Sequence, residues 1–394
     1  MHILLIVNSF HFEDEKVNGS KFKQIFDLYQ AAGWTVGLVA PCQQKTSTNN
    51  VDLPMSKEDS ITIQPRVIID FSWRKWRLSR LARIPIINTL ILKIASKSIY
   101  NYINTYGEPD IIHAHGTVHA GLIAHGVARQ KHIPFIITEH MSILPTNSLP
   151  IGLTTKAINA LKESAVITPV SQYVKNKLVK HYDVPEENIK VIPNTVDSLF
   201  FLPKEKKPSM EKQEIFRFLS ISRLSPIKNF SLLVEAFYQL TNSQPEIKIE
   251  LYIGGDGPEA PHLNNLIQQF HLEKQVKLLG KLTRQQVLSH LQNCSCYVLS
   301  SNTETFGIPL IEAISCGKPV LSTDCGGPSD IISKSNGHIV LKQSPKELSE
   351  GMLYMIENSN KFDNKHIRED CINRFGADIY IKRVTEIYQS VLSN

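Results

Sequence analysis

The sequence predicts an α/β protein made of two doubly wound halves. Short apolar runs that read as buried parallel strands alternate with segments of helical periodicity almost from end to end. Between the halves lies the charged, proline-containing stretch FLPKEKKPSMEKQE (Phe201 to Glu214), which reads as a linker. The length, 394 residues, gives each half room for its own core.

In the first half, Ile3 to Val7 reads as a buried strand. Ser20 to Ala32 reads as a helix with Phe22, Ile25, Phe26 and Tyr29 on one face; Gly33 closes it, and Thr35 to Val39 is the next strand. Residues 43–64 are polar and read as a surface loop. Strands are expected at Val67 to Phe71, Asp110 to His115, Phe135 to His140, Ala165 to Val170 and Ile189 to Ile192, with helices such as Val118 to Gln130 and Ser171 to His181 between them. In the second half the strands are Phe216 to Ser222, Lys248 to Ile253, Val276 to Leu279, Cys296 to Leu299, Pro319 to Ser322 and His338 to Leu341, and helical patterns continue through Leu348 to Ile356 and Ile379 to Leu392. Ligands of such sheets bind beyond the carboxyl ends of the strands, so the loops there, including Asn8 to Gly19, are expected to face a cleft between two Rossmann-like domains.

Composition narrows the class. Apolar content of 42% and charged content of 20% are ordinary for a globular protein, and a net charge of +6 is modest for this length. The six cysteines include no C-x-x-C pair and no zinc spacing, which fits a reduced, cytosolic setting. The start, MHILLIVNSF, is too short an apolar run for a signal peptide, and no stretch of about 20 apolar residues occurs to cross a membrane.

The chemistry concentrates at Ser300 to Ala313. Here the strand Cys296 to Leu299 runs into a loop that opens a helix after Gly307, with Ile308, Ile311 and Ile314 on one side. The first turn of such a helix offers unpaired N–H groups to an anion, through Thr305, Phe306, Gly307 and Ile308. Glu304 and Glu312 bracket it. A carboxylate beside an anion site is repulsive unless it accepts hydrogen bonds from something else, so the pair implies a ligand with phosphate at one end and hydroxyls around it. A second station is Arg223 and Lys228, in a loop after the strand Phe216 to Ser222, where two cations can neutralise a diphosphate as its charge develops.

The setting ETFGIPLIEAISCGKPV, with seven residues between Glu304 and Glu312, resembles the E-x7-E motif of family 4 retaining glycosyltransferases of the GT-B fold. The bare spacing would describe two solvated glutamates; the surrounding FGxPLxEAxxCGxPV pattern makes it specific. The resemblance covers essentially the whole chain. SRLSPIK (Ser222 to Lys228) is similar to the family's GRLxxxKG site, with Ser222 for the usual first glycine and Asn229 for the second. Ile192 to Asp197 is similar to the PNGVD segment that closes the first domain. Gly19 and Ser20 stand where a Gly-Gly pair is common beside the donor, Lys281 and Leu282 where backbone holds the nucleotide base, and His140, ending TEH, where an imidazole lies near the donor sugar. The Cys325-Gly326-Gly327-Pro328 loop is also expected at the cleft.

The resemblance implies domains at 1–199 and 216–377, a linker at 200–215, and a last helix, 378–394, that returns to the first domain. It implies transfer of a sugar from a nucleotide-diphosphate sugar such as a UDP-sugar, with retention; the basic segment Arg74 to Arg83 fits a lipid-linked glycan acceptor, in surface polysaccharide or glycolipid synthesis. Catalytic roles fall to Glu304, Arg223, Lys228 and His140, and donor contacts to Gly19, Ser20, Arg223, Lys228, Lys281, Leu282, Glu304, Thr305, Phe306, Gly307, Ile308 and Glu312. No D-x-D occurs, so no metal or other cofactor is expected. Six histidines between His113 and His140 lack a completing ligand set for zinc. Arg74 to Arg83 puts five cations in ten residues, interleaved with Trp76 and Leu78, which suits docking on an anionic membrane surface on the cytoplasmic side. Nucleic acid is not an expected partner. A nucleotide-sugar epimerase of the same fold is the alternative. A dehydrogenase is weaker: Gly255-x-Gly257-x-x-Ala260 fits a dinucleotide fingerprint, but Pro258 constrains the turn and no acidic residue follows the next strand. A non-catalytic sugar-binding module would have no use for the phosphate cations.

Overall fold

A computed structural model describes residues 1–7, 20–39, 85–141, 153–201 and 215–393. The chain divides into two compact units, Met1–Pro193 with Tyr380–Asn394, and Asn194–Ile379.

In the first unit, β1 (His2–Val7), β2 (Thr35–Val39), β3 (Ile111–His115), β4 (Phe135–Thr138) and β5 (Val166–Ile167) form a parallel sheet in the order β2-β1-β3-β4-β5. Ile3 lies opposite Val36 on one side and Ile111 on the other. Strands β1 to β4 are buried along nearly their whole length, which is why they read as continuous apolar runs. Helices α1 (Ser20–Ala31), α2 (Pro85–Tyr106), α3 (Leu122–Lys131), α4 (Leu153–Glu163) and α5 (Gln172–Tyr182) accompany the strands. A π-turn, Thr117–Gly121, precedes α3, so the helix expected from Val118 starts as a wider coil. Ser171 caps α5 by accepting from the Val174 N–H at 3.1 Å.

Two expected strands come out shorter, and one does not form. The strand expected at Phe135 to His140 stops at Thr138, and the one at Ala165 to Val170 keeps only two residues. Ile189 to Ile192 makes a single bridge, Ile189 to Ile167, rather than a strand. The strand expected at Val67 to Phe71 lies outside the described residues.

The second unit carries β6 (Phe216–Ile221), β7 (Ile249–Gly254), β8 (Val276–Gly280), β9 (Cys296–Leu299), β10 (Val320–Thr323) and β11 (Gly337–Val340), all parallel, in the order β11-β10-β9-β6-β7-β8. Its helices are α6 (Phe230–Ser243), α7 (Ala260–Gln269), α8 (Arg284–Asn293), α9 (Ile308–Ser315), α10 (Pro345–Glu357) and α11 (Asn364–Phe375). The chain winds outward from β6 through β7 to β8, then returns to the other side of β6 at β9. That reversal opens a crevice at the carboxyl ends of β6 and β9.

The last helix, α12 (Ala377–Leu392), belongs to the first unit from Tyr380 onward. Its Tyr380, Val384, Ile387 and Tyr388 enter the core formed by Ile3, Leu5, Val7, Ile25, Phe26 and Tyr29. The division by contacts falls after Pro193 rather than at 199, because Asn194 onward is tied to the second unit: the Thr195 hydroxyl donates to the Phe375 carbonyl at 2.9 Å and the Val196 N–H to the same oxygen at 3.1 Å.

Candidate active site

The two loops that flank the reversal in the second unit are stitched together. After β6, Ser222 to Leu224 is held by the glycine loop that follows β7: the Ser222 N–H donates to the Gly254 carbonyl at 3.0 Å, and the Leu224 N–H to that of Asp256 at 3.0 Å. A Cβ at Gly255 would stand 1.8 Å from the Ser222 carbonyl oxygen, and one at Gly257 2.2 Å from that of Leu224. These glycines therefore serve close backbone approach rather than a dinucleotide, and they fix the loop from which Arg223 projects to the exterior. A 3-10 turn, Pro226–Lys228, leads to Asn229, which caps α6 in the left-handed conformation at φ 49. Asparagine is among the few non-glycine residues that tolerate that conformation, which accounts for its standing where a glycine is usual. Lys228 closes the turn, and the helix itself starts at Phe230.

The loop after β9 docks on this turn. The Asn302 N–H donates to the Ile227 carbonyl at 2.9 Å, the Ser300 hydroxyl to the Lys228 carbonyl at 3.0 Å, and the Asn229 amide to Asn302 Oδ1 at 2.8 Å. Lys228 Nζ then reaches Glu304 Oε2 in a direct ion pair. Glu304 is held from behind: its N–H donates to the Cys325 carbonyl and its carbonyl accepts from the Gly327 N–H, each at 2.8 Å. A Cβ at Gly327 would lie 2.3 Å from the Thr305 carbonyl oxygen, so Cys325 to Gly327 forms a close-fitting back wall for Glu304 and Thr305.

Gly307, at φ 106, turns the chain into α9, where Pro309 has no N–H and the Leu310 N–H donates to the Gly307 carbonyl at 2.9 Å, which leaves Ile308 as the first-turn donor. The Phe306 side chain turns inward, 2% exposed, and meets the Phe375 ring edge-on at 5.9 Å. Any contact from Phe306 to a ligand is therefore through its backbone. The same holds for Leu282, 8% exposed, whereas Lys281 beside it is exposed.

Glu312, 6% exposed, lies deeper in α9. Its Oε1 accepts from Arg284 Nη1 at 2.7 Å, while Arg284 Nη2 reaches Asp197 Oδ2 at 3.3 Å. The guanidinium also lies over the Phe200 ring, 4.4 Å from its centre. Burial raises the Glu312 carboxyl above its ordinary pKa, and Arg284 opposes that shift.

The first unit has its own reversal, between β1 and β3, and histidines gather at the strand ends beside it. His140 Nε2 is 3.2 Å from His115 Nδ1, and His140 Nδ1 is 3.0 Å from Lys21 Nζ, one residue into α1 from Ser20. His113 bridges Tyr388 at 2.6 Å and Thr138 at 2.7 Å. Burial holds His113 down to about 3, pushes His115 and His140 well below the ordinary imidazole range, and lowers Lys21 to about 7. Glu139 keeps the corner rigid: Oε2 accepts from the Thr117 N–H at 3.0 Å, and Oε1 from the N–H groups of His140 at 2.8 Å and Met141 at 2.7 Å. The His140 and Met141 N–H groups, just past the end of β4, are thereby taken by a side chain instead of a strand partner. Gly19 and the loop Asn8 to Gly19 lie outside the described residues.

Comparison with known proteins decides the family. Residues 203–373 match the model for glycosyl transferases group 1, and residues 25–198 match that for glycosyltransferase family 4. The chain is a family 4 glycosyltransferase. The GPI3 subunit of phosphatidylinositol N-acetylglucosaminyltransferase from Saccharomyces cerevisiae is 25% identical over 293 residues, 72% of this chain and 64% of the yeast protein. The match therefore spans just under two thirds of that relative's length. N-acetyl-alpha-D-glucosaminyl L-malate synthase from Bacillus anthracis is 24% identical over 72% of this chain and 75% of its own. Among solved structures, sucrose-phosphate synthase from Thermosynechococcus elongatus superposes with a TM-score of 0.79 at 18% identity, covering 100% of this chain and 99% of that one. Anabaena HepE in complex with UDP gives 0.70 at 19% identity, covering 99% and 100%. Both establish the GT-B fold.

In this glycosyltransferase the reversal of the second sheet brings together Lys228, Glu304, Thr305, Gly307 and the start of α9. Glu312 stands with Arg284, which no motif singles out, and with Asp197, which closes the Ile192 to Asp197 segment. Arg284 is the first residue of a helix capped by Thr283 and Gln286, a position that reads as an ordinary surface cation. Lys21, in the first unit, is likewise unmarked by any motif.

Proposed function

We propose that this glycosyltransferase moves a sugar, an N-acetylhexosamine or a hexose, from a UDP-sugar to a lipid-linked acceptor with retention of anomeric configuration, in surface polysaccharide or glycolipid synthesis. The observation that carries the reading is the Lys228–Glu304 pair at the sheet reversal beside the open mouth of α9. Arg223 and Lys228 take the diphosphate, the Gly307 and Ile308 N–H groups at the start of α9 take its remaining charge, Glu304 accepts from a sugar hydroxyl and Glu312 from the ribose. Both named relatives favour N-acetylglucosamine as the sugar, and the yeast GPI3 relative favours a lipid such as phosphatidylinositol as the acceptor class, whereas the Bacillus relative is named for L-malate.

Retention is favoured by the state of the carboxylates. Glu304 and Glu312 are each engaged by a cation, which weakens either as a nucleophile. Attack from the donor's own face, with the departing phosphate taking the acceptor proton, needs neither. Proton NMR of the product decides it: an α-linked donor should give an α-linked product, and a β anomer would exclude retention. The same assay in excess EDTA should run at an unchanged rate, because fixed cations do the work of a metal. Loss of rate restored by manganese would overturn that part.

Arg74 to Arg83 lies outside the described residues, and no helix among those described is long and apolar enough to cross a membrane. Docking of that segment on an anionic cytoplasmic leaflet belongs to the proposal. The protein should sediment with phosphatidylserine vesicles at low salt and release at high salt. Changing Arg74, Lys75, Arg77 and Arg80 to Ser should abolish sedimentation, each cation being worth about 1 kcal/mol at the surface. Wild-type protein that ignores the vesicles at low salt would point to a soluble acceptor.

A further inference from the structure

We infer that Arg284 is a positioning residue for donor binding: held by Asp197 and Phe200, it aims the Glu312 carboxylate and keeps it ionised as a hydrogen-bond acceptor. The inference rests on the reading that Glu312 accepts from the ribose, and goes beyond it in naming what makes that possible.

The geometry is that of a braced side chain. Thr283 caps α8 with a reciprocal bond to Gln286, which fixes the backbone of Arg284 at the first helical position. Its two terminal nitrogens are divided between two carboxylates, Nη1 to Glu312 at 2.7 Å and Nη2 to Asp197 at 3.3 Å. Asp197 is itself fixed, because Oδ1 accepts from the Leu199 N–H at 3.0 Å. Phe200 supports the guanidinium plane from one face at 4.4 Å. Arg284 Nε is buried without a hydrogen-bond partner among the described residues. A buried donor is left unpaired only where other constraints dominate, and here the constraint is the placement of the two terminal nitrogens.

Arginine suits this task because its planar fork serves two carboxylates at once and never deprotonates. A ribose diol brings O–H donors, so the protein must offer an acceptor. A protonated Glu312 would lose part of that capacity, and its burial pushes it toward protonation. Among the described residues, the charged and titratable groups around Glu312 are Arg284, Asp197, the Tyr297 hydroxyl and the Cys316 thiol. Burial raises the last two, so both are neutral near pH 7, and the charge balance at Glu312 falls to Arg284 against Asp197.

That balance predicts shifts of opposite sign. UDP binding should be titrated calorimetrically from pH 5 to pH 8 with wild type, Arg284→Met, Asp197→Asn and Glu312→Gln; the titration of UDP itself is common to all four. UDP binding through ionised Glu312 is lost as pH falls through its pKa. Arg284→Met raises that pKa, so the acid limb should move up, by about one pH unit or more, with donor KM rising and kcat little changed. Asp197→Asn removes the competing carboxylate and should move the limb down. Arg284→Lys keeps the charge and should hold the limb nearer wild type; it decides the matter if Arg284→Met does not fold. Lowered melting temperatures with an unmoved acid limb in Arg284→Met and Asp197→Asn would overturn the inference and leave a structural brace. If Glu312→Gln binds UDP as wild type does, ionisation of Glu312 is immaterial and the inference fails; if Glu312→Ala also binds as wild type does, the ribose reading fails with it.

Discussion

Replacing Lys228 with alanine should lower kcat/KM for the sugar donor by about 10²–10³-fold while leaving the melting temperature near that of wild type. Two losses combine. The diphosphate loses a fixed cation at the point where its negative charge develops. Glu304, 14% exposed at its side chain and held from behind by Cys325 and Gly327, keeps its carboxylate with no cation to balance it. An unpaired carboxylate then faces the incoming diphosphate. The second loss can be separated from the first by a double-mutant cycle. If the unpaired charge matters, Lys228→Ala with Glu304→Gln will cost less than the sum of the single changes. Additive costs would mean that the pair is not a working unit, and near-normal kinetics in Lys228→Ala would place the diphosphate elsewhere.

Gly255→Ala should be the most damaging single methyl group in the second unit. Its φ of 135 lies where side-chain-bearing residues are rarely found, and the new Cβ would stand 1.8 Å from the Ser222 carbonyl oxygen, which is backbone and cannot rotate away. Strain and overpacking together should cost about 3 kcal/mol or more. The yielding element is the Ser222 to Leu224 loop, so Arg223 moves and activity falls with stability. Gly254→Ala is the control: there the Cβ would meet the end of the Leu282 side chain at 2.7 Å, which can shift. Thermal melting of the two variants distinguishes them, and equal melting temperatures would mean that the glycine loop does not clamp the Arg223 loop.

Much of the fold was legible because buried parallel strands are continuous apolar runs. Cys296–Leu299 and Thr35–Val39 form where such runs stand alone between polar loops. Ile189 to Ile192 looked the same but lies between Pro185 and Pro193, and it makes one bridge instead of a ladder. Phe135 to His140 was overread because nothing in TEH announces that Glu139 will spend its carboxylate on backbone N–H groups.

At the site, the spacing of Glu304 and Glu312 and the order of Arg223 and Lys228 could be read directly. Which side chains face the ligand could not: Phe306 and Leu282 belong to the motif by position and to the core by packing. Nor could the partners of the two glutamates be read. Lys228 is 76 residues from Glu304, and Arg284 is 28 from Glu312, distances that only the parallel sheet closes.

Calorimetric titration of UDP into wild type, Lys228→Ala and Glu312→Ala tests the donor site most directly. Wild type should bind, and each variant should lose about tenfold or more in affinity, a single charge-assisted hydrogen bond being worth about 1.5–3 kcal/mol, with folding intact. Equal affinity in all three proteins, or no binding by wild type, would contradict the assignment of Lys228 and Glu312 to a nucleotide-sugar donor.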